Sequence, residues 1–279
     1  MNDVNHHQKS VTKTLISQVI FKQRIWMKKL ENKCVVITGG AGSIGKTTAK
    51  LFLEQGARVM LVDLLEQSLK KVKEELGDKN VNYCVADVTK SADVKRYADE
   101  ALNLFGKVDV FFNNAGVEGM VMPVAEYPEE IFDKVMAVNV KGVWLGNKYI
   151  SPILKDGGSI IMSSSVAGLG GMPNVSAYVI SKHAVVGIMR NLALELAPRK
   201  IRVNTINPAP VDNRMMRSLE EGFAPNNGDE AKKGFEKTIP LGRYAKPDEI
   251  AKLVLFLASE DSQFITGTTQ VIDGGMTAQ

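Results

Sequence analysis

The chain has 279 residues, of which 35 are Lys or Arg, 31 are Asp or Glu and 44% are hydrophobic. This ordinary globular composition excludes a disordered tail, a collagen and a disulfide scaffold. The net charge of +4 comes from the amino terminus, because residues 1–30 contain six basic residues and one acidic residue. The other 249 residues contain 29 basic and 30 acidic residues. A nucleic-acid-binding protein concentrates positive charge on its folded body. The neutral body therefore excludes that class.

Residues 1–30 form a basic extension that we expect to be flexible. Lys22, Gln23 and Arg24 interrupt its apolar run, so it lacks the pattern of a secretory signal. Three interpretations stay open: a flexible or weakly docked extension, translation from Met27, and a basic amphipathic helix that targets a membrane surface or an organelle. The first two predict that removing residues 1–26 leaves the turnover rate unchanged. A loss of turnover in the truncated protein would contradict both.

No segment approaches the ~20 consecutive apolar residues of a membrane-spanning helix. Cys34 and Cys84 lie in apolar, strand-like runs, where small buried thiols are common. These features predict a cytoplasmic protein in a reducing compartment.

Short β-branched runs alternate with longer helical patterns from residue 33 onward. The runs are 34–37, 58–62, 81–85, 108–112, 159–162 and 201–204, each bounded by Gly, Asp or Asn. Nearly continuous apolar strands separated by helices are typical of a parallel sheet covered on both faces. The predicted fold class is α/β, a doubly wound, Rossmann-type parallel sheet. We expect one domain over residues 31–279, with an irregular substrate loop at about 209–238.

A glycine-rich loop follows the first predicted strand and opens a helix. It reads Thr38-Gly39-Gly40-Ala41-Gly42-Ser43-Ile44-Gly45, and its small residues let a pyrophosphate approach the backbone and the helix N-terminus. Alone, such a loop is equally typical of a tight turn. Asp63 follows 18 residues after Gly45, where a carboxylate accepts hydrogen bonds from both ribose hydroxyls and repels a 2′-phosphate. Because Lys46 is expected to face solvent, the sequence predicts NAD in preference to NADP.

A second motif, Tyr178-Val179-Ile180-Ser181-Lys182, combines a phenol and an ammonium at i and i+4. Both side chains lie on one helical face, so the ammonium favours the ionised phenol. Ser165 ends a predicted strand 13 residues earlier. A strand end and a helix can then place the three groups in one cleft.

With these motifs the sequence resembles the short-chain dehydrogenase/reductase family over residues 31–279. The matching features occur in order: the glycine loop, Asp63, Asp87-Val88, Asn113-Asn114-Ala115-Gly116, Asn139, Ser165, Tyr178 with Lys182, Asn204 to Pro208, Ile265-Thr266-Gly267 and Asp273-Gly274-Gly275. The resemblance implies about seven strands and a homotetramer in which helices around 131–154 and 175–198 pack against symmetry mates.

The resemblance also implies the site residues. The expected catalytic residues are Asn139, Ser165, Tyr178 and Lys182. The expected cofactor-binding residues are Gly39, Ser43, Ile44, Gly45, Asp63, Asp87, Val88, Asn114, Ala115, Gly116, Tyr178, Lys182, Pro208 and Val211. No metal is expected, because no Cys, His and carboxylate set has metal-ligand spacing.

Two positions depart from the family pattern. Ser43 stands where the family usually has Gly, and we expect cofactor binding to survive because Ser fits such a turn. The family's Pro-Gly with a following Thr is replaced by Pro208-Ala209-Pro210-Val211-Asp212-Asn213. The Thr that contacts the carboxamide in the family is therefore missing, and Asn213 is the candidate to replace it.

The implied mechanism is hydride transfer with Tyr178 as the acid/base. In alcohol oxidation Tyr178, as phenolate, takes the hydroxyl proton. Lys182 favours the phenolate and contacts the nicotinamide ribose, Ser165 orients the substrate oxygen, and Asn139 binds a water that relays protons.

The function expected from these features is NAD-dependent oxidation of a secondary alcohol or reduction of its ketone. The alternatives are a 3-oxoacyl thioester reductase of the same family, which would normally use NADPH, and a nucleotide-sensing protein without turnover. Residues 212–238 are interpreted as a substrate lid or a subunit contact. His183 is expected to be structural, and Glu118 to be a solvated loop carboxylate rather than a group facing the substrate.

Overall fold

The computed structural model describes residues 28–278, so the predictions for residues 1–27 lie outside the described part. Its centre is a seven-stranded parallel sheet in the order β3-β2-β1-β4-β5-β6-β7. The strands are β1 (Cys34–Thr38), β2 (Arg58–Asp63), β3 (Val81–Val85), β4 (Val108–Asn113), β5 (Leu154–Ser163), β6 (Arg202–Pro208) and β7 (Thr269–Ile272). The doubly wound α/β prediction is confirmed.

Helices connect the strands and cover both faces of the sheet. They are α1 (Ser43–Glu54), α2 (Glu66–Leu76), α3 (Ser91–Phe105), α4 (Glu129–Met136), α5 (Val143–Ile150), α6 (Ser176–Glu195), α7 (Arg214–Phe223), α8 (Gly228–Lys237) and α9 (Pro247–Ala258). A π-helical segment, Ala137–Gly142, joins α4 to α5. Such segments occur frequently at functional sites, and this one contains Asn139.

Successive side chains of a strand point to opposite faces of the sheet. The apolar side chains of the strands therefore pack into two layers, one on each face. Val36 of β1 packs in the layer that contains Tyr97 of α3 and Val185 of α6. Its neighbours Val35 and Ile37 pack in the other layer, which α1, α2 and α9 cover. This burial on both faces explains the continuous apolar runs of the sequence.

The sheet order changes direction beside β1. The chain first adds β2 and β3 on one side of β1, then returns to add β4 on the other side. A crevice opens at such a switch point, outside the carboxyl ends of the strands. The loops after β1 and β4 therefore border the expected ligand site.

The prediction of an irregular stretch at about 209–238 is wrong, because most of it forms α7 and α8. Asn213 caps α7, and its Oδ1 accepts a hydrogen bond from the backbone N–H of Met216 over 3.1 Å. A small apolar cluster of Met216, Ile239 and Tyr244 packs beneath these helices. Met216, Leu219 and Phe223 have helical spacing, and this pattern in the sequence indicates the helix α7.

Cys34 and Cys84 are free and buried, as predicted. Burial raises the pKa of the Cys84 thiol to about 12, so this thiol stays protonated. Within residues 28–278, no helix combines the length and apolar character needed to cross a membrane. In the same part of the chain, no group of three or more His, Cys, Asp or Glu is placed to bind a metal ion.

Candidate active site

The ends of three neighbouring strands are tied together by Asn114. Its backbone N–H donates to Thr38 Oγ1 over 2.9 Å, and its Oδ1 accepts a hydrogen bond from Ser163 Oγ over 2.9 Å. Ala115 N–H also donates to Thr38 Oγ1, over 3.1 Å. Asn114 and Ala115 thus fix the floor of the crevice at the ends of β1, β4 and β5.

The glycine loop is too tightly packed for side chains at two of its positions. Gly39 has a φ of +64°, and a Cβ added to it would lie 3.0 Å from the Ala115 Cα. A Cβ added to Gly45 would overlap the carbonyl oxygen of Gly39. Ser43 is the first residue of α1 and has ordinary helical geometry, so this departure from the family pattern costs nothing in backbone strain. Ile44 packs beneath the loop against the apolar layer.

Asp63 lies at the carboxyl end of β2, beside the glycine loop. One carboxylate oxygen accepts a hydrogen bond from Ala41 N–H over 3.0 Å, and the other accepts one from Leu64 N–H over 2.8 Å. Each oxygen keeps a further lone pair for a ligand hydroxyl. Lys46 pairs with Glu75 over 2.8 Å, away from the carboxylate. The loop, the helix N-terminus and this carboxylate fit the diphosphate and ribose of a dinucleotide.

Asp87 and Val88 lie in the loop after β3. The Asp87 carboxylate accepts hydrogen bonds from the N–H and hydroxyl of Thr89, over 2.9 and 2.7 Å. The Asp87 backbone N–H donates to Asp93 over 2.9 Å. Val88 is so close to Gly142 that a Cβ there would lie 3.0 Å from its Cγ2. The loop after β3 is therefore packed against the π-helical segment.

Ser165, Tyr178 and Lys182 converge, as the spacing predicted. The Ser165 hydroxyl acts on the Tyr178 phenol and lowers its pKa, and Lys182 Nζ lies 5.4 Å from the centre of the Tyr178 ring. Lys182 is 4% exposed, and its ammonium donates to the Ser163 carbonyl over 2.8 Å. The strand end and α6 thus place a phenol, a hydroxyl and an ammonium in one cleft.

Burial dominates the titration of this pair. It raises the pKa of Tyr178 to about 12, although the hydrogen bond from Ser165 opposes this and the charge of Glu118 adds to it. Burial also lowers the pKa of Lys182 to about 8. At neutral pH the cofactor-free site therefore contains a protonated phenol next to a mostly protonated ammonium.

Asn139 lies in the π-helical segment, and its side chain is hydrogen-bonded to both backbone polar groups of Val117. Its Oδ1 accepts from Val117 N–H over 2.8 Å, and its Nδ2 donates to the Val117 carbonyl over 2.8 Å and to Ser181 Oγ over 3.0 Å. Both amide hydrogens are thus used within the protein. Gly116 lies between Asn139 and Lys182: a Cβ added there would be 3.3 Å from Oδ1 and 3.5 Å from Nζ.

The end of β6 lies beside Ser165. Pro208 ends β6, and its carbonyl lies 3.5 Å from Ser165 Oγ. Val211 is buried and pairs with Ala245 in an isolated bridge. Because the Asn213 side-chain oxygen caps α7, it is already engaged at that point of the backbone. His183 is exposed, and its Nδ1 lies 2.9 Å from the Val179 carbonyl in its own helix.

The expectation of a solvated Glu118 is wrong, since only 7% of this residue is exposed. Its carboxylate pairs with the guanidinium of Arg214 at the start of α7, with N–O distances of 3.0 and 3.3 Å. Sequence reasoning missed Arg214 because 96 residues separate it from Glu118. Only the fold brings the two together.

The fold and this crevice define a dinucleotide-binding protein of the Rossmann type. The family model described as enoyl-(acyl carrier protein) reductase matches residues 39–277. Levodione reductase of Leifsonia aquatica is 37% identical to the chain over 256 residues, which are 90% of this chain and 96% of that protein. The 3-oxoacyl-(acyl-carrier-protein) reductase of Thermotoga maritima is 38% identical to the chain, and the match covers 89% of this chain and 99% of that protein.

A crystal structure of NAD⁺-bound xylitol dehydrogenase superposes with a TM-score of 0.84 and 33% identity, covering 89% of this chain and 100% of that chain. The chain belongs to the short-chain dehydrogenase/reductase family. Its relatives are dehydrogenases and reductases, which supports an oxidoreductase activity with a nicotinamide cofactor.

Proposed function

We propose that the protein is an NAD-dependent oxidoreductase that interconverts a secondary alcohol and its ketone. The observation that supports this most strongly is the grouping of the Tyr178 phenol with Ser165, which lowers its pKa, and with Lys182, whose Nζ lies 5.4 Å from the ring centre. The test is formation of NADH from secondary alcohols by the purified enzyme. The similarity to levodione reductase and to xylitol dehydrogenase supports an alcohol or ketone substrate.

Tyr178 is the proposed acid/base, and Ser165 the group that orients the substrate oxygen. A bound nicotinamide would supply the hydride acceptor or donor. In ketone reduction the protonated phenol donates its proton to the substrate oxygen, and in alcohol oxidation the phenolate accepts it. The high pKa of the cofactor-free phenol suits the reductive direction, while oxidation requires nearby positive charge to favour the phenolate.

Lys182 is proposed to supply that charge and to contact the nicotinamide ribose. Asn139 is proposed to support the proton relay from Lys182. Since its amide hydrogens bond to Val117 and Ser181, it acts by fixing the wall beside Lys182 rather than by donating to a relay water. Pro208 and Val211 are proposed to lie against the nicotinamide.

The cofactor is proposed to bind along the glycine loop. Gly39, Ser43, Ile44 and Gly45 would border the diphosphate, Asp63 the adenosine ribose, and Asp87 and Val88 the adenine. The adenosine side of the cofactor would be supported by Asn114, Ala115 and Gly116.

Asp63→Ala is expected to reverse or abolish the preference for NAD. Loss of two charged hydrogen bonds to the ribose should lower kcat/KM for NAD about 10- to 100-fold, while removal of the negative charge should raise kcat/KM for NADP. Steady-state rates with both cofactors measure this. Glu66→Ala, which removes an exposed carboxylate at the start of α2, is the matched control. An unchanged NAD-to-NADP ratio in Asp63→Ala would contradict the assignment.

We also propose one domain over residues 31–279 and a cytoplasmic homotetramer. Exposed apolar side chains support pairing of the α5 and α6 surfaces: Trp144 is 49% exposed, Ile180 46% and Leu194 79%. Such side chains are typical of a surface that another subunit covers.

A further inference from the structure

Asn207 is a buried polar residue near the end of β6, and its side chain is bonded to the residue proposed to orient the substrate. None of its surface is exposed. Its Nδ2 donates to the backbone carbonyl of Ser165 over 2.8 Å, and its Oδ1 accepts from Thr205 Oγ1 over 2.8 Å. A carbonyl only accepts hydrogen bonds, so the amide nitrogen is the atom that faces Ser165. The Thr205 hydroxyl holds the amide in this orientation.

Pro208 explains why a side chain makes this link between β6 and the end of β5. The backbone ladder of these strands includes the bond from Ser164 N–H to the Ile206 carbonyl, over 2.9 Å. Every second residue of a strand faces the same neighbour, so the next β6 donor toward β5 is residue 208. Proline has no N–H to donate. The Asn207 amide therefore supplies a donor from β6 at the point where the backbone cannot.

The carbonyl that Asn207 holds belongs to the turn that places the Ser165 hydroxyl. Ser165 caps a 3₁₀ turn, Val166–Gly168, and its Oγ accepts from Ala167 N–H over 3.2 Å. The Ser165 carbonyl accepts from the N–H of the last residue of this turn over 2.9 Å. Both bonds close the turn on Ser165, so a shift of the carbonyl moves the hydroxyl with it.

Ser165 is held on both sides of its Cα. On the amino-terminal side, Ser164 Oγ donates to the Lys182 carbonyl over 2.9 Å, which ties the strand end to α6. On the carboxyl-terminal side, Asn207 ties the Ser165 carbonyl to β6. These bonds fix Ser165 relative to α6, the helix that contains Tyr178.

We propose that Asn207 is a positioning residue for Ser165, and that Thr205 orients the Asn207 amide. Asn207 acts through Ser165, by fixing where the Ser165 hydroxyl meets the substrate oxygen. A misplacement of about 1 Å can cost about 10²-fold in rate, so loss of this bond lowers kcat and leaves cofactor affinity unchanged. The inference rests on the proposed function, because it requires Ser165 to orient the substrate.

A double-mutant cycle with Ser165→Ala tests the inference. In the wild-type background, Asn207→Ala should lower kcat for alcohol oxidation about 10-fold, with unchanged affinity for NADH. In the Ser165→Ala background, the same substitution should change kcat by less than about twofold, because the hydroxyl that Asn207 positions is absent. Equal losses in both backgrounds would overturn the inference, since Asn207 would then act independently of Ser165.

Asn204→Ala is the matched control in the same strand. Asn204 is also fully buried, but its side chain bonds to the Ile265 carbonyl and the Thr268 N–H, over 2.8 and 3.2 Å. Whatever loss of kcat this variant shows should be the same in both backgrounds. Coupling to Ser165 as strong as that of Asn207 would reveal a general effect of truncating β6 and would overturn the inference.

Two variants of Thr205 provide a second test that leaves Asn207 in place. Thr205→Val has a similar shape but no hydroxyl, so the buried Asn207 Oδ1 loses its partner and kcat should fall about threefold or more. Thr205→Ser keeps the hydroxyl and should retain the wild-type kcat. This pair decides the inference if Asn207→Ala does not fold. Equal kcat values in the two Thr205 variants would overturn it.

The Ser165→Ala arm separates this inference from the proposed function. A wild-type kcat in Ser165→Ala would overturn the proposed role of Ser165 and the inference with it. A large loss of kcat in Ser165→Ala, together with a wild-type kcat in Asn207→Ala, would overturn the inference alone.

Discussion

Tyr178→Phe is expected to lower kcat/KM for both alcohol oxidation and ketone reduction by about 10³-fold or more. The ring stays in place beneath Lys182, and only the phenol hydroxyl is lost. Cofactor affinity, measured by the fluorescence of bound NADH, should change little. In the wild type, oxidation should become faster as pH rises and reduction slower, because the two directions need the phenolate and the phenol respectively.

Tyr149→Phe is the matched control for that experiment. It also removes one phenol hydroxyl, which lies 2.8 Å from Ser91 Oγ at the surface, and should leave both rates unchanged. Comparable activity in Tyr178→Phe and the wild type would show that another group transfers the proton.

Gly45→Ala is expected to weaken cofactor binding by about 100-fold or more. The new methyl group would overlap the Gly39 carbonyl oxygen, so the glycine loop must move away from the start of α1. That movement disrupts the close backbone approach on which diphosphate binding depends. Titration with NADH measures the loss, and thermal unfolding reports the accompanying destabilisation.

Gly234→Ala provides the corresponding control in α8. A Cβ at Gly234 meets no heavy atom within 4 Å, and alanine favours a helix over glycine by about 1 kcal/mol. This variant should bind NADH normally and be slightly more stable than the wild type. Normal NADH affinity in Gly45→Ala would show that the loop does not bind the diphosphate.

The sheet and the centre of the crevice could be predicted because short, local sequence patterns mark them. Apolar runs mark the strands, and a helical spacing of four places Tyr178 and Lys182 on one face. The glycine loop and Asp63 follow the ends of neighbouring strands, so parallel topology alone brings them together. Identifying Asn114 and Asn139 additionally required the family resemblance, since a single Asn has no distinguishing local pattern.

The remaining features depend on contacts between distant segments. Glu118 pairs with Arg214, and no local pattern relates a loop residue to the start of a helix that is 96 residues away. The π-helical segment around Asn139 packs against the loop after β3, where Val88 lies close to Gly142. The helices α7 and α8 have a mixed polar and apolar sequence, and Asn213 caps α7. Their apolar side chains pack against Ile239 and Tyr244, which come from later in the chain.

A cofactor and substrate screen tests the central proposal most directly. The purified protein is incubated with NAD or NADP and a panel of secondary alcohols, and with NADH or NADPH and the matching ketones or an acetoacetyl thioester, while nicotinamide absorbance is followed. We predict NADH formation from at least one secondary alcohol, at a kcat/KM well above that for NADP. Turnover confined to the thioester with NADPH would contradict the proposal in favour of an acyl reductase, and tight NADH binding without any turnover would contradict it in favour of a nucleotide-sensing protein.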